Sequence, residues 1–173
     1  MNKAVLMLAK LGECLGKQTE DMLSAKFGDA ELKTTPGKQA KYIDCILCEL
    51  DEKDARAVMK KCGAEGVSES IIRKAKKIYN ASEGNIEDFL EGLNMNGIGG
   101  GKLRIHNGVI HAAYSTCCSC IPKALPDINK CYCEGSVGWF ERIFFECFGK
   151  PVEVKLISTI LEGAKDCRFE IRY

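Results

Sequence analysis

Two Cys-x-Cys pairs, Cys118-Ser119-Cys120 and Cys131-Tyr132-Cys133, are the residues best able to carry chemistry in this chain. Four thiolates drawn to one point would form a tetrahedral all-sulfur site. Zinc accepts such sites with Zn–S bonds near ~2.3 Å, which sets the sulfurs roughly 3.8 Å apart. Between the pairs runs Ile121–Lys130 with Pro122 and Pro126. Each proline fixes φ and removes a backbone donor, so this segment reads as a loop that folds back. Zinc fingers and ribbons mostly space their cysteines more widely; a Cys-x-Cys pair puts both thiols on one side of an extended strand or into one tight turn. Cys117 points to the opposite face if the chain is extended there. The expected ligand set is therefore Cys118, Cys120, Cys131 and Cys133, with Cys117 able to replace a member if the strand ends early. Zinc leads because the pairs are tight and ferredoxin-type spacing is absent; an iron–sulfur cluster or free redox thiols are the alternatives.

The other candidate groups are weaker. Cys45-Ile46-Leu47-Cys48 is a Cys-x-x-Cys inside a predicted helix. Thioredoxin-like pairs sit at a helix N-terminus after a strand, so a buried core pair is expected here, with a second metal site including Cys62 as the sharper alternative. Cys14, Cys62 and Cys147 fit small core residues. The histidines number two. His111 lies roughly 20 Å along an extended strand from Cys117, too far to share a metal without a bend. Trp139 follows Gly135 and Gly138 directly after the cluster, where an aromatic ring and free helix N–H groups could meet an anionic or aromatic ligand. Helical spacing gathers Trp139, Phe140 and Phe144, and Tyr114 sits on the strand that enters the cluster. These four residues are the candidate ligand-binding set, with a solid core of touching rings as the competing arrangement.

The elements that position these groups divide by period. The chain has 173 residues, 46% of them hydrophobic, and a net charge of +1. That permits one domain, 1–173, with a real core. It provides no electrostatic footprint for nucleic acid; the basic run Arg73–Lys77 reads as the solvated face of a helix. Eleven cysteines without a signal-peptide pattern or an 18-residue apolar run point to reduced thiols in a cytoplasmic protein. Residues 1–96 read as helices. Val5, Leu8, Leu11 and Leu15 mark the first, and Thr19 caps a second that Gly28 closes. Thr35-Pro36 opens the third, and Asp51 a fourth that stops at Gly63. Ser68 and Asn85 start the fifth and sixth. The first helix has apolar residues on more than one side (Val5, Leu6, Met7, Leu8), which predicts a homodimer with this helix at the interface. Residues 97–101, Gly-Ile-Gly-Gly-Gly, read as a hinge and lack the ending of a phosphate loop.

In 102–173 strands take over. Asn107-Gly108 joins two short strands as a hairpin. A helix from about Ser136 to Phe148 ends at Gly149, and strands from Pro151–Ile157 and Cys167–Ile171 follow. The fold class is therefore α+β: N-terminal helices, then a β-β-α-β-β antiparallel sheet with helices packed on one face.

Three stretches carry a resemblance: Cys131–Trp139, Gly149–Val154, and Gly163-Ala164-Lys165-Asp166-Cys167-Arg168-Phe169-Glu170-Ile171. Residues 102–173 resemble the closing half of the 4-vinyl reductase domain, a small-molecule-binding module related to TRAPP transport subunits and to sensors of phenolic compounds. The resemblance implies an antiparallel sheet with helices on one face, a pocket between them, zinc beside it in several members, and dimers. Zinc-binding members carry a Glu and a Cys just before the Gly-x₃-Cys segment. Lys155–Leu161 has neither, so the resemblance does not assign Cys167 as a ligand. The C-terminal style is also similar to the 2-amino-thiazoline-4-carboxylate hydrolases, an enzyme class. The leading expectation is a cytoplasmic small-molecule-binding or sensory domain with a structural zinc beside an apolar pocket. It would bind a small apolar or aromatic carboxylate, without nucleic acid or a membrane span. A small metal-dependent hydrolase is the alternative and a thiol-redox or iron–sulfur protein the third. The sequence has no acid–base pair at a diagnostic spacing, so the reading leans away from catalysis.

Overall fold

The computed structural model describes residues 2–117 and 119–173. It is an α+β fold. Helices α1 (Lys3–Leu15), α2 (Lys17–Phe27), α3 (Pro36–Glu49), α4 (Glu52–Glu65), α5 (Glu69–Ala81) and α6 (Ile86–Met95) come first. Strands β1 (Arg104–His106) and β2 (Val109–Tyr114) follow, then the short helix α7 (Cys120–Ala124) and the long α8 (Glu134–Phe148), and last β3 (Glu153–Ser158) and β4 (Cys167–Arg172). The strands form one antiparallel sheet in the order β1-β2-β4-β3.

Local chemistry starts most of the helices. The side chains of Asn2, Thr35, Asp51, Ser68 and Asn85 each accept backbone N–H bonds at the first turn of the helix that follows. These bonds satisfy donors that an isolated helix leaves open. Thr19 does not cap α2. It lies inside the first turn, behind a Gly16 cap, and its hydroxyl donates 3.1 Å to the Leu15 carbonyl. This is the back-bond threonine makes when a helix continues through it. At the hairpin, Asn107 and Gly108 have φ of 50° and 73°, the left-handed pair that a type I′ turn requires.

The sheet alternates. Ile110, Ala112, Val154, Phe169 and Ile171 are buried on the face toward α8. His111 and Glu170 pair across the opposite face. One apolar cluster lies between this sheet and α5, α6 and α8, including Phe89, Phe140, Phe144 and Phe169. A second lies among α1–α4 and α7, including Met7, Leu11, Leu23, Ile46, Val58 and Ile121.

Helix α1 is covered within the chain. Ala4, Met7 and Leu11 are buried, and Val5, Leu6 and Leu8 pack against the helical cluster. The apolar residues read as a dimer interface thus pack in part within the chain, with Val5, Leu6 and Leu8 half-buried. Cys45 and Cys48 also depart from expectation. Both are exposed, because the buried stripe of α3 runs through Ala40, Ile43, Ile46 and Leu47 and leaves them on the outer side.

Gly63 does not end α4. It lies inside the helix, where α4 crosses α8. A Cβ on Gly63 would sit 1.7 Å from the Gly135 carbonyl oxygen, and one on Gly138 would sit 1.8 Å from that of Lys60. Gly135 and Gly138 lie in the first turns of α8, and their missing side chains set how closely the two helices approach.

Candidate functional site

Where β2 ends, Tyr114 pairs with Cys167 of β4 on the sheet face that carries Phe169. Beside them opens a cavity of about 850 Å³. Its walls come from the sequence's distant parts: Leu6 and Met7 of α1, Met59 of α4, Ile71 of α5, Ile98, Tyr114, Trp139 and Phe169. The glycine-rich segment at 97–100 forms one side. Gly100 has φ of 85°, and a Cβ there would lie 2.6 Å from the Tyr114 ring. Glycine is needed there for both conformation and space.

Of the predicted ligand set, Tyr114 and Trp139 line the cavity, whereas Phe140 and Phe144 stand behind it in the core, 1% and 0% exposed. Their rings tie the wall to that core. Trp139 meets Phe140 edge-on at 5.3 Å, and Tyr114 meets Phe169 edge-on at 5.8 Å. The lining also has polar members, Ser70, Asn96, Ser115, Thr116, Ser119, Tyr132 and Ser136, and two lysines, Lys3 and Lys74. Among the described residues no aspartate or glutamate lines it.

The four-cysteine set is not gathered by its described members. Cys120 is exposed on α7. Cys131 and Cys133 lie in a 3-10 turn, Lys130–Cys133, rather than on a strand. With about three residues per turn, side chains two apart diverge instead of sharing a side. Cys131 accordingly faces a separate groove with Glu52 and Arg56, and Cys133 faces the large cavity. Cys118 lies outside the described residues. Among the described residues no three His, Cys, Asp or Glu side chains come together closely enough to hold an ion. The chain between the pairs is also more ordered than a loop, since α7 forms there with Ser119 as its cap.

Burial pushes the Cys133 thiol up to about 12, and the neighbouring Cys167 and Cys117 add to the shift while a hydrogen bond with Thr159 opposes it. All three cysteines line the cavity. The Ile160 amide donates 3.3 Å to the Cys167 sulfur. Burial likewise raises Cys62 and Cys147 to about 12. Thiols held so far above neutral pH are poor nucleophiles. Mass-spectrometric mapping with iodoacetamide at pH 8 should find Cys45, Cys48 and Cys120 modified first and Cys62 and Cys147 last. Equal labelling of all five would contradict the burial.

One polar cluster on the wall had no sequence signal. Lys3 Nζ lies 3.1 Å from Ser119 Oγ and 3.3 Å from Tyr132 Oη, and these two oxygens are 2.8 Å apart. Each residue is held from behind. Asn2 Nδ2 donates to the carbonyls of Ala30 and Lys33, and the Lys3 amide donates to Gln39 Oε1. Those bonds fasten the first turn of α1. Asn129 caps the turn that carries Tyr132 and is itself fixed by Asp44, whose Oδ1 accepts its amide at 2.8 Å.

No protein-family model matches the chain, and no curated protein matches it. A solved structure does. It is the phenol-responsive sensory domain of the transcription activator PoxR with phenol, at a TM-score of 0.48 and 14% identity over 80% of this chain and 74% of that one. Similarity at this level is a loose likeness of chain path, and the cavity's own residues must say what it can do. No helix among the described residues is long and apolar enough to cross a membrane.

Proposed function

We propose that this chain is a small-molecule-binding domain that takes an aromatic or aliphatic carboxylate into the cavity beside Trp139. One observation carries the reading: a cavity of about 850 Å³, walled by aromatic and aliphatic side chains, contains two lysines and no described carboxylate. Ligand sites of about 300–1,000 Å³ with apolar walls and a few placed polar groups are typical of small-molecule binding. Lysine without acid on a low-dielectric wall favours an anion. A sensory role fits a domain whose cavity is walled by both its helical part and its sheet, so that a bound ligand touches both. Zinc has no part in this reading.

The chain's single tryptophan makes the test direct. Adding small aromatic and fatty acids should shift or quench Trp139 emission in a saturable way. Glucose and adenosine should leave it unchanged. Emission that stays flat across the acids would remove the proposal.

A further inference from the structure

We infer that Lys3 and Tyr132, held in place by Ser119, form the anchor for the carboxylate end of the ligand. This rests on the cavity reading above and adds which atoms recognise the anion.

The argument is a count of donors and acceptors. A serine hydroxyl has two lone pairs and one proton. Ser119 Oγ accepts the Ile121 amide at 3.3 Å, as the cap of α7, and accepts Lys3 Nζ at 3.1 Å. Its lone pairs are then used, so its proton goes to Tyr132 Oη at 2.8 Å. Tyr132 Oη also accepts from Lys3 Nζ at 3.3 Å. With both phenol lone pairs engaged, the phenol proton has no acceptor among the described residues. Lys3 has three N–H donors, of which the cluster uses two. A phenol O–H and an ammonium N–H therefore remain, adjacent, on the wall of the cavity.

What these donors need is a group that only accepts. Among the described residues no carboxylate lies within ion-pair distance of Lys3, whose polar partners are the two hydroxyls. Lys3 is half-buried, so water compensates its charge less well than at an exposed site. Burial raises the Tyr132 phenol above its ordinary value, which keeps its proton on near neutral pH; Lys3 and Ser119 only oppose this. One positive charge and two spare donors match the charge and two oxygens of a single carboxylate. Hydrogen bonds to a charged group are among the stronger ones in proteins.

The test compares 3-phenylpropanoate with its neutral isostere 3-phenylpropanamide by Trp139 fluorescence. In the unaltered protein the acid should bind about tenfold to a hundredfold more tightly than the amide. Lys3→Met and Tyr132→Phe should each remove most of that preference by weakening acid binding far more than amide binding, whose neutral carbonyl loses only an ordinary hydrogen bond, and Lys3→Arg should restore part of it. Retained amide binding shows that a variant has folded. Equal affinity of acid and amide in the unaltered protein would overturn the anchor and leave the cavity reading standing. So would a preference that survives in both Lys3→Met and Tyr132→Phe. Binding of neither compound would overturn both.

Discussion

Replacing Gly138 by alanine is expected to lower the melting temperature by several degrees, although it adds only one methyl group. The helices α4 and α8 cross where Gly63 faces Gly135 and Gly138 faces Lys60. The new Cβ would lie 1.8 Å from a backbone carbonyl oxygen, and a backbone atom cannot swing aside as a flexible side chain can. The helices must separate, and overpacking of this kind costs about 1–3 kcal/mol or more. For a chain of this size that is roughly 2–4 °C per kcal/mol. Gly63→Ala should act likewise, and the double variant should fall short of the sum because one displacement relieves both clashes. Gly37 is the control. It lies in α3 with open space around it, and Gly37→Ala should be neutral or stabilising by up to about 1 kcal/mol. Similar melting for the three single variants would refute the close crossing.

A steep loss of stability is expected above pH 9. Cys62, Cys133 and Cys147 are pushed up to about 12 in the folded chain, chiefly by burial, from an ordinary thiol value of 9.0. The sign follows from which state holds the protons. Below pH 9 both states keep them, and the protonated thiols leave stability intact. Between 9 and 12 the unfolded chain releases protons that the folded chain retains, so unfolding becomes easier as pH rises. Each thiol contributes a limiting slope of about 1.4 kcal/mol per pH unit, and three approach about 4. That is large against a total stability of about 5–15 kcal/mol. Urea denaturation followed by circular dichroism at pH 8 and pH 10.5 should show the midpoint collapsing. Cys62→Ala should recover about a third of the slope. Midpoints that do not move between these pH values would contradict the buried thiols.

Much of this fold was legible from local chemistry. Thr35-Pro36, Asp51, Ser68 and Asn85 announce helix starts because a short polar side chain before an apolar run has a specific use there. Asn107-Gly108 announces the hairpin because few other pairs accept two positive φ values. What was not legible depends on partners far along the chain. Gly63 reads locally as a helix stop, and only its neighbour Gly135 in α8 makes it a crossing point. The Cys-x-Cys spacing suggests convergence, yet a 3-10 turn sends Cys131 and Cys133 into different surroundings. Tyr114 and Trp139 could be expected at a pocket because aromatic residues gather there, but nothing local separates them from Phe140 and Phe144. Lys3 had no signal. Its partners Ser119 and Tyr132 are 116 and 129 positions away. A lone lysine at a helix start reads as a surface charge until the folded chain shows which cavity it borders.

The central claim is that the cavity beside Trp139 holds a small organic acid. A heteronuclear NMR titration of the isotope-labelled protein with 3-phenylpropanoate tests this most directly. The account predicts saturable shifts in the Trp139 indole and the methyl groups of Met59, Ile71 and Ile98, all on the cavity wall. The methyl groups of Leu23 and Val58, buried in the helical cluster and away from that wall, should hold still. Shifts that never saturate, or that fall elsewhere and spare the wall, would contradict it.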